Sequence, residues 1–180
     1  EELDRDYYQT VYASKEGAIA SPTAGLHFTS QMVEEISVSG VNIGYLTLHV
    51  GLGTFKPVTC EDITLHRMEP EYFQVLKVTQ DKIETARKNR SRIIAVGTTT
   101  LRALETYATG LREGFTGLFV YPGYKFKITD CLLTNFHLPK TTLFMLVCAF
   151  GGEPLIKKAY QEAVDNKYRF YSYGDAMLII

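Results

Sequence analysis

The segment RIIAVG (92–97) is a short apolar run that stops at a glycine and passes directly into TTTLRALETYA (98–108), and it constrains this chain more than any other stretch. Continuous apolar runs of this length are the mark of strands buried between helical layers, and the threonines after Gly97 supply a helix start. A strand buried on both faces needs helices on both sides, which points to a layered α/β domain with a mixed β-sheet flanked by helices. The rest of the chain keeps the alternation. Thr29 is expected to cap a helix over Ser30 to Ser39, with Met32, Val33 and Ile36 on one face and Gly40 as its terminator. Residues 41–50 (VNIGYLTLHV) read as a strand whose phase changes beside Gly44, as at a bulge. Thr79 to Asn89 reads as a solvent-facing helix, TTLFMLVCAF (141–150) as an apolar one, and Pro154 to about Lys167 as an amphipathic one. LFVYPGYKFKI (118–128) has the pattern of an antiparallel hairpin, and the aromatics of YRFYSYGD (168–175) are expected in the core.

Composition bounds the function. With 180 residues, 46% hydrophobic and 22% charged, the chain can bury a core as a single domain over 1–180, and disordered or collagen-like classes are excluded. A net charge of −1 gives no global field for a polyanion, so RNA would have to be met by local basic patches. No run of eighteen apolar residues and no leader-like segment occurs, so the expectation is a soluble, cytoplasmic protein with no membrane partner. The opening EELDRDYYQT lacks a methionine and suggests a fragment. Cys60, Cys131 and Cys148 are far apart and odd in number, as buried free thiols are, and unlike a disulfide framework or a paired metal site.

The four histidines fall in Gly-, Thr- or Pro-marked motifs: SPTAGLHFT (21–29), HVGLGTF (49–55), HRMEPEYF (66–73) and TNFHLPKTT (134–142). Such placement points to a polar pocket, because α/β sheets hold ligands in loops at strand ends. No two histidines lie within a dozen residues of each other and no HExxH occurs, so no metal is expected. No GxSxG elbow and no cysteine beside a histidine supports a covalent hydrolase. The amides and hydroxyls of Gly97-Thr98-Thr99 can hold an anion at a helix start, although a plain strand-to-helix turn looks the same. Arg102 and Glu105, at i and i+3, are placed to pair with each other. HVGLGTF has two glycines for close backbone approach, but neither a dinucleotide fingerprint nor a P-loop.

Together the blocks YQTVYA (8–13), PTAGLHFT (22–29), TLHVGLGTF (47–55), His66 with Met68 and Glu71, IAVGTTTLRALE (94–105), YPGYKF (121–126), TNFHLPK (134–140) and YRFYSYGDAMLI (168–179) resemble the S-adenosylmethionine:tRNA ribosyltransferase-isomerases of queuosine biosynthesis. The resemblance implies transfer and isomerisation of the ribosyl group of S-adenosylmethionine onto a 7-aminomethyl-7-deazaguanine at the tRNA wobble position. Epoxyqueuosine would form, with adenine and methionine released. S-adenosylmethionine is then a substrate, and no permanently bound cofactor is implied. The family chain is about twice as long, with a small inserted β-barrel domain that this chain lacks, so 1–180 corresponds to most of the larger α/β domain of a two-domain protein. The loops at 109–117 and 150–155 are shorter than the family pattern, and Glu69 stands where many members have a second histidine.

For that chemistry, motif position and residue type point to His27 and His137 as the acid/base pair, in either order. Thr98, Thr99 and Arg102 would receive the methionine carboxylate; His49, Gly51 and Gly53 would lie along the adenosine; Asn135 and Asp175 would contact hydroxyls. Thr23, Thr54, His66 and Glu71 complete the substrate contacts. Tyr124, Lys125, Lys127 and Lys140 are the tRNA candidates, with Lys82, Arg87, Lys88, Arg90 and Arg92 a second basic cluster that a solvated helix face equally explains. A non-catalytic RNA- or adenosine-binding domain and a metal-dependent hydrolase are the rival classes.

Overall fold

The computed structural model describes residues 8–55, 58 and 62–180. Five α-helices and six short strands alternate along it, with 3-10 turns at Thr23–His27, Leu52–Phe55 and Ile63–Leu65. The strands form two three-stranded sheets. In the first, β2 (Glu71–Gln74) lies between β1 (Thr47–Leu48) and β4 (Glu113–Thr116), all antiparallel. In the second, β5 (Cys131–Asn135) is central: it runs parallel to β3 (Ile94–Val96) and antiparallel to β6 (Ala176–Ile179). The mixed sheet expected from RIIAVG is this second one, but β3 is not buried on both faces as expected: Ala95 is wholly buried and Ile94 is half exposed.

Helix α3 (Thr98–Tyr107) follows β3 after one residue and is the spine of the core, with Leu101 and Ala103 wholly buried. It packs with Phe73 of β2, Leu132 of β5 and Leu146 and Val147 of α4 (Thr142–Gly151) in a single apolar cluster. Thr141 caps α4 by accepting the Phe144 N–H at 3.1 Å. At Gly152 the chain turns into α5 (Glu153–Asp165), which buries Ile156, Tyr160 and Ala163 against the same cluster. Cys131 and Cys148 are buried free thiols; Cys60 lies outside the described residues. No helix among the described residues is long and apolar enough to cross a membrane.

Several expectations need correction. The strand expected over 41–50 shrinks to Thr47–Leu48, because side chains of α2 (Lys77–Lys88) satisfy the preceding backbone: Thr79 Oγ1 donates to the Tyr45 carbonyl at 2.6 Å, and Lys82 Nζ to that of Ile43. Backbone groups bonded this way have no need of a ladder. The hairpin expected over 118–128 does not form either. The Glu105 carboxylate instead accepts the N–H groups of Lys127, Ile128 and Thr129 at 2.8, 3.1 and 3.0 Å. Helix α1 (Ser30–Val38) is capped by Thr29 as expected, but none of its residues is buried, Met32 included. In YRFYSYGD only Phe170 reaches the core, and Tyr168, Tyr171 and Tyr173 are exposed.

Candidate functional site

Four sequence blocks converge at the end of β5. A narrow cleft there is lined by Ser21, Thr23 and Ala24 from the first block, Val50 and Thr54 from the second, Gly97, Thr98 and Thr99 from the third, and Thr134, Asn135 and His137 from the fourth, with Leu143, Tyr171 and Ser172 closing it. Its volume is about 70 Å³, room for roughly two waters or one carboxylate-sized group. A larger groove of about 530 Å³ lies between α1, the 41–45 segment and Lys82, but it contains none of the motif residues. The narrow cleft is the better candidate because polar groups from distant segments meet in it.

Local physics explains each wall. Gly97 sits at φ 95°, a left-handed conformation that a glycine adopts without strain, and this lets β3 turn at once into α3. With glycine at the N-cap, no side chain caps α3, so the positive end of the helix opens beside the Thr98 and Thr99 hydroxyls. The PTAGLH turn is a tight fit: a Cβ on Gly25 would lie 2.0 Å from the Tyr12 hydroxyl and 2.7 Å from Thr10 Cγ2. Burial pushes the Tyr12 phenol up to about 12.

His137 is the most perturbed group of the cleft. Its ring is desolvated, which pushes the imidazole down to about 4, so it is neutral at physiological pH. Nε2 lies 2.8 Å from Thr134 Oγ1, and the backbone N–H donates to the Tyr160 hydroxyl at 2.9 Å. Asn135 is 1% exposed. Its Nδ2 donates to the carbonyls of Tyr171, Gly174 and Ser172 at 3.0, 3.3 and 3.4 Å. The amide orientation is therefore fixed by three acceptors, and its Oδ1, like the Ser21 hydroxyl, has no protein partner.

His27 is exposed at the end of its 3-10 turn, within electrostatic reach of Asp175. The Asp175 carboxyl is held below the ordinary range first by hydrogen bonds to Arg169, whose N–H and Nη2 donate at 2.7 and 3.0 Å, with His27 contributing least.

Other expected site residues take structural partners. Arg102 forms a buried ion pair with Glu71, not with Glu105 as the i, i+3 spacing implied. Glu71 Oε1 accepts the Gly51 N–H at 2.8 Å and the Thr54 hydroxyl at 2.6 Å. Gly53 is covered by the Glu69 side chain, and His49 packs on the Tyr72 ring at 5.4 Å with Nε2 unpartnered. His66 packs on Phe119 at 4.9 Å, outside the cleft. Tyr124 is half-buried, and burial together with Glu105, which accepts its hydroxyl proton at 3.3 Å, pushes its phenol up to about 12. Lys125, Lys127 and Lys140 are exposed cations away from the cleft lining. No three His, Cys, Asp or Glu side chains converge as a metal site among the described residues.

Ser21, Thr134, Tyr171 and Ser172 are not among the expected site residues. The first two open the motifs SPTAGLHFT and TNFHLPKTT without being singled out in them, and the last two sit in the aromatic segment read as core.

A family model described as queuosine biosynthesis protein matches residues 1–179. The chain is 61% identical over 181 residues to the S-adenosylmethionine:tRNA ribosyltransferase-isomerase of Sulfurihydrogenibium sp., covering 100% of this chain and 54% of that protein. It is 52% identical over 180 residues to the enzyme of that name from Aquifex aeolicus, again with 100% and 54% coverage. The crystal structure of S-adenosylmethionine tRNA ribosyltransferase from Thermotoga maritima superposes with a TM-score of 0.73 at 44% identity, covering 87% of this chain and 51% of that one. The chain thus spans about half the length of the relatives it matches.

Proposed function

The chain belongs to the family of queuosine biosynthesis proteins, and from that premise we propose that it forms the substrate cleft of an S-adenosylmethionine:tRNA ribosyltransferase-isomerase. The reaction proposed is transfer and isomerisation of the ribosyl group of S-adenosylmethionine onto 7-aminomethyl-7-deazaguanine at the wobble position of tRNA. The products are epoxyqueuosine, adenine and methionine. The observation that carries this reading is the meeting of four separate sequence blocks around the uncapped start of α3.

The sulfonium of the substrate acidifies the adjoining 5′ carbon, so a base can remove a proton there. The electron pair left there forms a bond to the 1′ carbon as the bond to adenine breaks and adenine takes a proton. The 2′ hydroxyl then attacks the 1′ carbon, passing its proton to the ring oxygen it displaces, to give the epoxide, and the base amine displaces methionine at the 5′ carbon and sheds a proton. In this reading the carboxylate of the methionine portion occupies the cleft, received by the first-turn amides of α3 and the Thr98 and Thr99 hydroxyls. The cleft volume suits that group, and the nucleoside then extends across the mouth. His27, exposed and within electrostatic reach of Asp175, carries the proton transfer, because a base must be reachable by the substrate. His137, neutral and bonded to Thr134, serves as a hydrogen-bonding partner. Arg102 acts through Glu71 and Thr54, positioning the second block. The exposed Lys125, Lys127 and Lys140 are the phosphate contacts proposed for tRNA, and the 1–180 domain is the larger of two.

The test is incubation of the protein with S-adenosylmethionine and an anticodon stem-loop bearing the aminomethyl deazaguanine, following free adenine and the mass of the RNA. Adenine release with the ribosyl-derived mass gain is expected. Binding of both ligands without release would instead make the chain a binding module. Replacement of His27 by alanine is expected to lower turnover by about 10²-fold or more, and unchanged turnover would remove it from the acid/base role.

A further inference from the structure

Tyr171 lines the cleft, yet 60% of its surface is exposed. Its backbone sits at φ 72°, a left-handed conformation that a bulky side chain rarely adopts. Its surroundings enforce this. The Tyr171 carbonyl accepts from Asn135 Nδ2 at 3.0 Å and from the Gly174 N–H at 3.1 Å, while its own N–H donates to the Phe136 carbonyl at 3.1 Å. Asn135, fully buried, also reaches the carbonyls of Ser172 and Gly174, so one fixed amide gathers three carbonyls of the turn.

A glycine would take this conformation without strain. The fold instead keeps a tyrosine, strained and with its ring largely in water, where the ring contributes little to the core. Strain of this kind clusters where a ligand uses the residue. The cleft that Tyr171 lines also holds Ser172 and the unpartnered oxygens of Ser21 and Asn135. An exposed aromatic residue on a cleft with uncharged hydrogen-bonding groups suits a flat heterocycle with polar edges. We propose that Tyr171 is a stacking platform for a nucleobase. The inference rests on the proposed function for the source of that base, which is the adenine of S-adenosylmethionine or an unstacked base of the RNA. Either offers the π-face that aromatic side chains hold.

The experiment uses Tyr171→Gly, with Tyr171→Phe as the control that keeps the ring. Dissociation constants are measured for S-adenosylmethionine, adenosine, methionine and an anticodon stem-loop, alongside thermal unfolding. Tyr171→Gly is expected to unfold no earlier than the parent, since the backbone strain is relieved, and to bind its nucleobase ligand roughly tenfold or more weakly. Tyr171→Phe stays close to the parent. Loss for adenosine and S-adenosylmethionine alone identifies adenine, and loss for the stem-loop alone identifies the RNA base. Parent-like binding of all four ligands by Tyr171→Gly overturns the stacking site while leaving the proposed function intact, and a loss that extends to methionine overturns it as general damage. A parent protein that binds neither S-adenosylmethionine nor the stem-loop overturns both.

Discussion

Arg102 and Glu71 meet in an ion pair whose side chains keep only 3% and 2% of their surface exposed. The pair ties α3 to β2, and the second oxygen of Glu71 reaches on to Gly51 and Thr54. Removing one partner would leave the other charge buried and uncompensated. Arg102→Met is therefore expected to cost about 3–5 kcal/mol in chemical denaturation. It should also weaken S-adenosylmethionine binding through displacement of Thr54. A cost under about 1 kcal/mol would mean that water reaches the carboxylate.

Glu105 is wholly buried and substitutes for a strand ladder in the 127–129 segment. Glu105→Ala would orphan three backbone N–H groups at once, each worth about 1–3 kcal/mol when left unsatisfied. The expected result is a variant that unfolds far below the parent temperature, with Glu105→Gln in between. Near-parent melting of Glu105→Ala would show that those amides find other acceptors.

His137 makes stability depend on pH in a defined window. Its imidazole is held at about 4 against an ordinary 6.5, so between those values the unfolded chain takes up a proton that the folded chain refuses. Stability is full above about 6.5 and falls as pH drops toward 4, by roughly 3 kcal/mol in all. Asp175, held low by Arg169, acts only at more acidic pH. Comparing the parent with His137→Gln at pH 7.5 and pH 5 isolates the histidine: the parent should lose more stability between the two. Equal losses would indicate an imidazole that titrates normally.

Gly97→Ala tests the cleft through its backbone. A Cβ there meets no close atom, with Thr99 Oγ1 at 3.5 Å and Ala24 Cβ at 3.8 Å, so the cost is conformational. At φ 95° that cost is about 1–2 kcal/mol. Ligand affinity should fall along with the melting temperature if the α3 amides shift. A drop in melting temperature alone would separate the turn from binding.

The alternation of strand and helix was legible because RIIAVG, TTLFMLVCAF and the Pro154 helix owe their form to local pattern and burial. What the sequence did not disclose was set by long-range polar side chains. Thr79 and Lys82 took carbonyls from 41–50, which left only Thr47–Leu48 as a paired strand, and Glu105 took amides from the end of 118–128, which formed no ladder. Arg102 chose Glu71 across 31 residues over Glu105 on its own helix. The cleft followed from motif positions at Thr23, Thr54, Thr98, Thr99, Asn135 and His137. Tyr171 escaped notice because an aromatic at strand-like spacing ordinarily packs inward, and only the turn held by Asn135 exposes it.

Thr134 and Asn135 lie on β5, which is hydrogen-bonded along both edges by β3 and β6. Amide hydrogens on such a strand exchange with solvent when the sheet itself comes apart, whereas a surface turn can open alone. The cleft has a floor that belongs to the sheet and a rim at 171–174 that Asn135 and the Phe136 carbonyl tie to the end of that same strand. A ligand would then meet a floor and a rim that open together, and slow amide exchange should extend from β5 into the rim through the Tyr171 N–H, whose acceptor is the Phe136 carbonyl.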